Sequence, residues 1–287
     1  MNYSALIQNR KTVRAFTDKY VSFEDMDKIK AYHSKSVRRL LSDVNTELRL
    51  FGLDSQAALE GAAGYQNFMV GSPQYLVLLS EKHPHAVENA GFIMEDLILK
   101  LSDMGLDSCW LTFHDSEHVK AALEIDSEMD VVAMAAFGYG AKTSKRLRWN
   151  VLSMSNVDAN AQRQYFQPKL SVRDLAHLNT WGNHTGAEEH IGFYDDMLWE
   201  AFYAASLAPS YLNRQPYGFL IHDGRITLVQ KPDSQTHAMD AKLNLGIVLL
   251  HFSAVASQWT GNISWQFEDI SVPSLPDGHR AVASVVL

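Results

Sequence analysis

Three stretches of this chain carry more chemistry than their surroundings need. Arg10, Lys11, Thr12 and Arg14 form a basic run near the N-terminus, and Lys142, Lys145, Arg146 and Arg148 form a second, in a protein of net charge -8. A guanidinium fork matches a phosphate with two parallel hydrogen bonds, and a neighbouring hydroxyl adds a neutral donor. In an extended backbone Arg10, Thr12 and Arg14 share one side; in a helix Arg10 and Arg14 share a face. The second cluster follows an apolar run and Gly138-Tyr139-Gly140, where glycines allow close backbone approach to a ligand. Taken alone, either cluster reads first as solvated surface charge. The third stretch is Ala208-Pro209-Ser210-Tyr211-Leu212-Asn213-Arg214-Gln215-Pro216. Pro209 stops an alanine-rich helix, and Pro216 biases Gln215 towards an extended conformation. Ser210, Asn213 and Gln215 offer donors and acceptors together, which suits a flat heterocycle whose edge alternates the two. A helix stop with Asx-turn residues accounts for Pro, Ser and Asn but not for the whole string.

The elements that must position these groups follow from the apolar spacing. A short helix over 4–9 leads into the first basic run. Ser22 caps a second helix with Asp25 in its first turn, and Met26, Ile29, Val37, Leu40, Leu41 and Val44 continue its helical spacing. Residues 52–74 read as loops and a short helix, and 75–79 as a fully apolar strand. Asn89–Met104 is a helix apolar on most faces, ended by Gly105. Residues 109–112 are a loop or a short extended piece, and Val131–Phe137 is a second buried strand. Residues 150–190 are polar and contain one helix, Ser171–Leu178. From Asp195 a new helix leads to the corner. Asp223-Gly224 between two apolar runs signals a hairpin, because both turn positions need positive φ. A helix over Asp240–Trp259 and a C-terminal strand over Ala281–Leu287 complete the chain.

Bulk composition narrows the classes. With 287 residues, 46% hydrophobic and 20% charged, the chain can bury a sizeable core in about two domains or one large one. The acidic balance lacks the basic footprint of a duplex nucleic-acid binder. The N-terminal stretch has no apolar signal region, and no uninterrupted apolar run reaches the ~20 residues of a membrane span, so a cytoplasmic protein without a membrane or nucleic-acid partner is expected. The single cysteine, Cys109, has no partner for a disulfide or a cysteine-based metal site. It reads as a packing residue, since no base stands beside it in the sequence. The histidines show no metal-binding spacing, so no metal is expected.

A faint repeat runs through the chain. Asn89, Gly91, Ser102 and Trp110 each lie 155 residues before an identical residue, Asn244, Gly246, Ser257 and Trp265. Two buried helices can share this much by chance. In both places, however, an apolar strand precedes the helix and a Trp-containing extended segment follows it. Two similar half-units in one chain, packed as a homodimer would be, are the expected architecture.

At this point the residues resemble a family. Arg10-x-Thr12-x-Arg14 is similar to the R-x-[ST]-x-R of nitroreductases, and Ala208-Pro209-Ser210-x-x-Asn213-x-Gln215-Pro216 to their A-P-S-x-x-N-x-Q-P string. Gly105-Leu-Asp-Ser-Cys109-Trp110-Leu-Thr resembles G-L-G-[ST]-C-W-x-[TG], and Phe137-Gly138-Tyr139 with Lys145, Arg146 and Arg148 resembles the family's last strand end. In the common homodimeric members the A-P-S string follows soon after the arginines; here it comes roughly 200 residues later. The order resembles the tandem, pseudodimeric branch, with parts for one flavin site. The implied fold is α+β: a nitroreductase-like α/β/α sandwich, with a first half over 1–150, a connecting segment over 151–190 and a second half over 191–287.

The resemblance implies FMN as cofactor and NAD(P)H as co-substrate. Arg10, Lys11, Thr12 and Arg14 would bind the phosphate and ribityl side, joined on the phosphate by Arg146 and Arg148. Pro209, Ser210, Asn213 and Gln215, from the opposite half, would hold the ring, and Leu111 and Thr112 would lie against its reactive side through backbone groups. The implied reaction is ping-pong hydride transfer through the flavin N5 to a small electron-poor acceptor such as a nitroaromatic or a quinone. The flavin carries that chemistry, so no catalytic side chain is named. The family pattern is broken at Asp107 and Tyr211, and Tyr211 would restrict substrates. A non-catalytic flavin-binding or degenerate pseudodimer is the alternative. The internal pseudodimer would let the chain act as a monomer.

Overall fold

The computed structural model describes residues 1–64, 69–141, 147–153, 156–161, 168–184 and 196–286. Arg146, Lys142 and Lys145 therefore lie outside the described residues, and Arg148 is described only as backbone in a strand.

The first half begins with α1 (Tyr3–Asn9) and α2 (Phe23–Lys35). Ser22 caps α2 by accepting the Asp25 N–H at 3.1 Å, with Glu24 and Asp25 in the first turn as the helix dipole favours. The helical spacing expected through Val44 ends at Lys35. Residues 37–44 are instead loop, and β1 (Thr46–Gly52) follows where no strand was expected. After α3 (Ser55–Leu59), β2 (Gln74–Ser80) is buried along its whole length. Then come α4 (Ala86–Asp103), β3 (Asp107–Leu111), α5 (Ser116–Ala122) and β4 (Asp130–Gly138). Gly105, at φ +76°, supplies the left-handed residue that ends α4. The antiparallel sheet has the order β1-β2-β4-β3.

A separate hairpin, β5 (Leu147–Ser153) with β6 (Asn156–Ala161), precedes α6 (Val172–Leu175) and β7 (Ala176–Leu178). The helix expected over Ser171–Leu178 thus splits after one turn, because Ala176–Leu178 pair in parallel with the second sheet. The second half contains α7 (Asp196–Ser206), a single 3-10 turn (Tyr211–Asn213), β8 (Tyr217–His222), β9 (Arg225–Gln230), α8 (Ala238–Thr260) and β10 (Arg280–Val286). Asp223 (φ +46°) and Gly224 (φ +69°) make the β8–β9 turn with both positions left-handed, as the hairpin signal required.

The two sheets are variations on one plan. The second has the order β10-β9-β8-β7, and Gln266 bridges Ser284 on the far side of β10. Set beside the first, β8, β9, β10 and the Gln266 segment occupy the places of β1, β2, β4 and β3, with β7 added at the outer edge. α4 and α8 follow the second strand of each unit and pack against each other. A Cβ on Gly91 would strike the backbone carbonyl of Leu243, and one on Gly246 would strike that of Glu88. Shifted by 155 residues, Glu88 becomes Leu243 and Gly91 becomes Gly246. The contact is therefore the reciprocal one of a two-fold axis, made within a single chain. Its cost in side chains explains the glycines: backbones this close leave no room for a methyl group.

α8 is 23 residues long, and its most apolar window has a mean hydropathy of 1.3, which is long and apolar enough to cross a membrane. Of that window 78% is buried, against α4, α7 and the second sheet, so the helix is the centre of the core. A helix covered on all sides has no polar face to show.

Candidate functional site

The two halves enclose a cavity of about 260 Å³. The first half lines it with Thr12, Arg14, Trp110, Leu111 and Thr112, and the second with Pro209, Ser210 and Tyr211 from the corner and Asp240, Leu243, Asn244 and Ile247 from α8. Thr12 and Arg14 arrive there because the 10–14 segment is extended along the free edge of β3. Thr12 bridges Ser108 in parallel, and the Val13 N–H donates to the Ser108 carbonyl at 3.0 Å. Of the alternatives open in the sequence, the extended one is realised, and Arg10, Thr12 and Arg14 fall on one side. Lys11 is exposed and does not line the cavity.

Arg10 lies deeper, in a buried charged cluster behind the cavity. Its side chain is 7% exposed and its Nε stands 2.8 Å from Oε1 of Glu95, which is 0% exposed. The Arg10 Nη2 is buried and has no hydrogen-bond partner among the described residues. Glu95 Oε2 accepts from Trp110 Nε1 at 2.7 Å, and Oε1 also lies 3.1 Å from His251 Nε2. His251 Nδ1 faces the Ala204 carbonyl at 3.0 Å. Both ring nitrogens thus face oxygen atoms. Burial pushes the Glu95 carboxyl up, but Arg10, His251 and Trp110 outweigh it and hold the carboxyl below its ordinary value. Lys169 joins from the segment before α6, donating to the Ala208 carbonyl at 2.8 Å. Burial, reinforced by Arg10, lowers its ammonium to about 8. Cys109 is buried, and burial raises its thiol despite Arg14 and Arg10 nearby, in keeping with a packing role.

The corner does two jobs. Pro209, Ser210, Tyr211 and Leu212 face the cavity. The amides of Asn213 and Gln215, expected at the ring, grip the backbone of 168–170 instead. Asn213 Nδ2 donates to the Pro168 carbonyl at 2.8 Å, and Gln215 Oε1 accepts from the Leu170 N–H at 2.9 Å. Both are thereby drawn away from the cavity wall and hold Lys169 between two anchored neighbours. Gln215 is also not extended. Its φ is +50°, and Leu212 and Asn213 have φ of +48° and +56°. The proline bias is overridden because the Gln215 N–H donates to Ser210 Oγ at 2.9 Å, closing the loop on itself. Asn244 Oδ1 accepts the Tyr211 N–H at 3.0 Å and ties the corner to α8.

The corresponding place across the pseudo-two-fold is closed. Asn89 Oδ1 accepts from the N–H groups of Leu40 and Leu41 at 3.0 and 3.1 Å, as Asn244 does from Tyr211. The counterparts of Asp240 and Thr112 are His85 and Phe267, whose rings stack at 4.4 Å and fill the position. Among the described residues, only one of the two equivalent positions offers a cavity.

Sequence reasoning missed Asp240, Glu95, His251 and Lys169. Glu95 and His251 did carry a signal, since charged or ionisable side chains inside helices apolar on most faces must find partners. Asp240 and Lys169 carried none, because each is placed by contacts distant in sequence. Asp107, which breaks the family pattern, accepts the Gly140 N–H at 3.0 Å and so pins the loop after β4.

An extended arginine and threonine strip, a polar corner from the opposite half and a pseudo-two-fold helix pair together define a tandem two-half α+β protein with an intramolecular interface site. The family model described as "Putative TM nitroreductase" matches residues 2–175, and the chain belongs to that family of oxidoreductases. A solved structure of "a putative nitroreductase" from Thermotoga maritima is similar over 100% of this chain and 94% of its own, with a TM-score of 0.60 at 17% identity. That likeness is one of fold. A nitroreductase family protein from Clostridium novyi matches 50% of this chain and 87% of its own at 17% identity and a TM-score of 0.44. An FMN-dependent nitroreductase from Clostridium difficile matches 50% of this chain and 90% of its own at 18% identity and a TM-score of 0.42. No curated protein sequence matches the chain.

Proposed function

We propose that the protein is an FMN-dependent NAD(P)H oxidoreductase with one flavin site per chain. The observation that carries this reading is the interface cavity, with Thr12 and Arg14 on one wall and Pro209 and Ser210 on the opposite one. The buried, unpartnered Arg10 Nη2 behind it is what an anion-binding group needs and what a purely structural arginine would avoid. The residues present fit the cofactor. Arg10, Thr12 and Arg14 would hold its phosphate and ribityl side, with Lys11, Arg146 and Arg148 as outer cations. Leu111, Thr112, Pro209 and Ser210 would bracket the ring, while Asn213 and Gln215 build the corner that carries Ser210. The two sides of the site would then come from 1–150 and 191–287, joined by 151–190.

When bound there, FMN supplies reversible uptake of a hydride from NAD(P)H and its delivery in ping-pong fashion to nitroaromatics or quinones. The chain's own part is to orient and to exclude water. Leu111, Leu243 and Ile247 make an apolar wall, the cations favour the electron-rich reduced state, and Tyr211 narrows the entrance. The test is the spectrum of the purified full-length protein. One released FMN per chain, with the yellow colour bleached by NADH or NADPH, supports the reading. A yellow protein inert to both nucleotides supports flavin binding alone. A colourless protein that takes up no added FMN, or one with two flavins per chain, refutes it.

A further inference from the structure

We propose that Asp240 is the acid of this site, donating a hydrogen bond from its carboxyl to the oxygen of the bound acceptor and giving up that proton as the acceptor is reduced. The inference rests on the oxidoreductase reading and adds the residue that handles the proton. Asp240 is 6% exposed, yet it stands in the wall of the cavity. Its Oδ2 is buried without a hydrogen-bond partner, and no salt bridge reaches it among the described residues. A carboxylate so placed has no hydrogen-bond donor to offset its desolvation and only the N-terminus of α8 and His237 to favour its charge, whereas a protonated carboxyl avoids the desolvation and offers a donor to a ligand. Burial raises the group to about 6, against a smaller opposing pull from His237.

The surroundings suit such a role. His237 occupies the N-cap position of α8, three residues before Asp240, without a side-chain capping bond, and its ring meets that of His114 from the first half edge-on at 4.5 Å. Tyr211 stands 6.3 Å from His237, ring to ring. Both histidines are exposed, and their ring pair joins the first half to the start of the helix that carries the buried carboxyl. Arg14 is the cation on the opposite wall. The cavity lining joins Trp110, Leu111, Leu243 and Ile247 to these polar groups, which favours a flat carbonyl- or nitro-bearing acceptor over a saturated one.

The dihydronicotinamide provides one hydrogen and two electrons, as hydride. The quinone becomes a hydroquinone mono-anion by that hydride and a hydroquinone by the Asp240 proton. The Asp240 O–H bond breaks as the quinol O–H forms, and the carboxylate is reprotonated from solvent. The dihydronicotinamide leaves as the oxidised nicotinamide.

Two measurements test this, on the full chain. First, infrared spectra of wild type and Asp240→Asn are compared across pH without turnover. The expected result is a protonated-carboxyl C=O band at pH 5 that titrates near pH 6 and is missing from the variant. No such difference at pH 5 overturns the proposal. Second, FMN occupancy and steady-state kinetics with NADH and 1,4-benzoquinone are measured. Asparagine keeps a donor but has no proton to give, so Asp240→Asn should retain FMN and KM while kcat falls about 100-fold, and Asp240→Glu should recover most of it. Wild-type kcat should decline as pH rises through about 6, and the variant should lose that limb. Unchanged kcat and pH profile in Asp240→Asn, with FMN bound and bleached normally, overturn the role of Asp240 alone. A wild type that binds no FMN overturns the flavin reading and the transfer with it.

Discussion

Replacing Gly246 by alanine tests the reciprocal helix contact on which the site depends. The added Cβ would overlap the Glu88 carbonyl oxygen and lie 2.8 Å from the Phe92 backbone nitrogen, where ordinary contact begins at 3.4 Å. Both obstacles are backbone of α4, so no side chain can rotate away, and the helices must separate. Alanine in a helix is worth ~1 kcal/mol over glycine, and overpacking costs ~1–3 kcal/mol, here towards the upper end and beyond because the clash is backbone on backbone. The net is ~2 kcal/mol of destabilisation. For a chain of this size the urea m-value is near ~3 kcal/mol/M, so the midpoint should fall by ~0.7 M with m unchanged. Leu243, Asn244 and Ile247 flank Gly246 and line the cavity, so FMN affinity should fall as well. Gly91→Ala should act in the same direction, because its Cβ meets the Leu243 backbone. Gly52→Ala is the control: nothing lies within 4 Å of its Cβ. A Gly246→Ala protein as stable as wild type, or more so, refutes the close reciprocal packing.

Three further outcomes follow from the geometry. Glu95→Gln should cost ~3–5 kcal/mol by urea denaturation, because it leaves Arg10 as a buried cation without its carboxylate; loss below ~1 kcal/mol would mean the pair is not charged as described. Gln215→Ala should cost ~1–3 kcal/mol by leaving the Leu170 N–H unpaired, and protease cleavage near Lys169 should accelerate; equal resistance to cleavage counts against the anchoring role. Asp240 is raised from 3.8 to about 6 in the folded chain, so the fold binds this proton more tightly than the unfolded chain does. That stabilisation is complete below pH 4 and lost as pH rises to 6, so Asp240→Asn should be the more stable protein above pH 6, by up to ~3 kcal/mol, with the gain vanishing below pH 4. A gain that is independent of pH would contradict this assignment.

Much of the framework could be read along the chain. The glycine that ends α4, the Asp-Gly hairpin, the buried strands 75–79 and 131–137 and the long apolar helix all follow from local rules, and each is present. So is the repeat, because glycines at a helix crossing and an asparagine that ties a loop to each helix are demanded twice by the same packing. The errors share one cause. Apolar residues at 37–44 kept helical spacing but are held as a loop by Asn89, and 176–178 left a helix to pair with β8. Tertiary contacts outweighed local preference by supplying hydrogen bonds that the local conformation could not.

The sequence by itself determined the types of group available: a guanidinium and hydroxyl strip, a proline-bounded polar corner and two matching helices. Only the tertiary structure decided what each group faces. Asn213 and Gln215 have the chemistry to meet a heterocycle, yet they are used on the backbone of 168–170, since unpaired buried amides there would cost more. Arg10 was readable as a cation, but not as one buried against Glu95 with a free nitrogen left over. Asp240 was an ordinary first-turn acid in the sequence, and it became the one carboxyl that the described residues place in the cavity wall because the pseudo-two-fold brings the start of α8 against the edge of the first sheet. Burial and partnership are properties of neighbours distant in the chain, and spacing along the chain does not encode them.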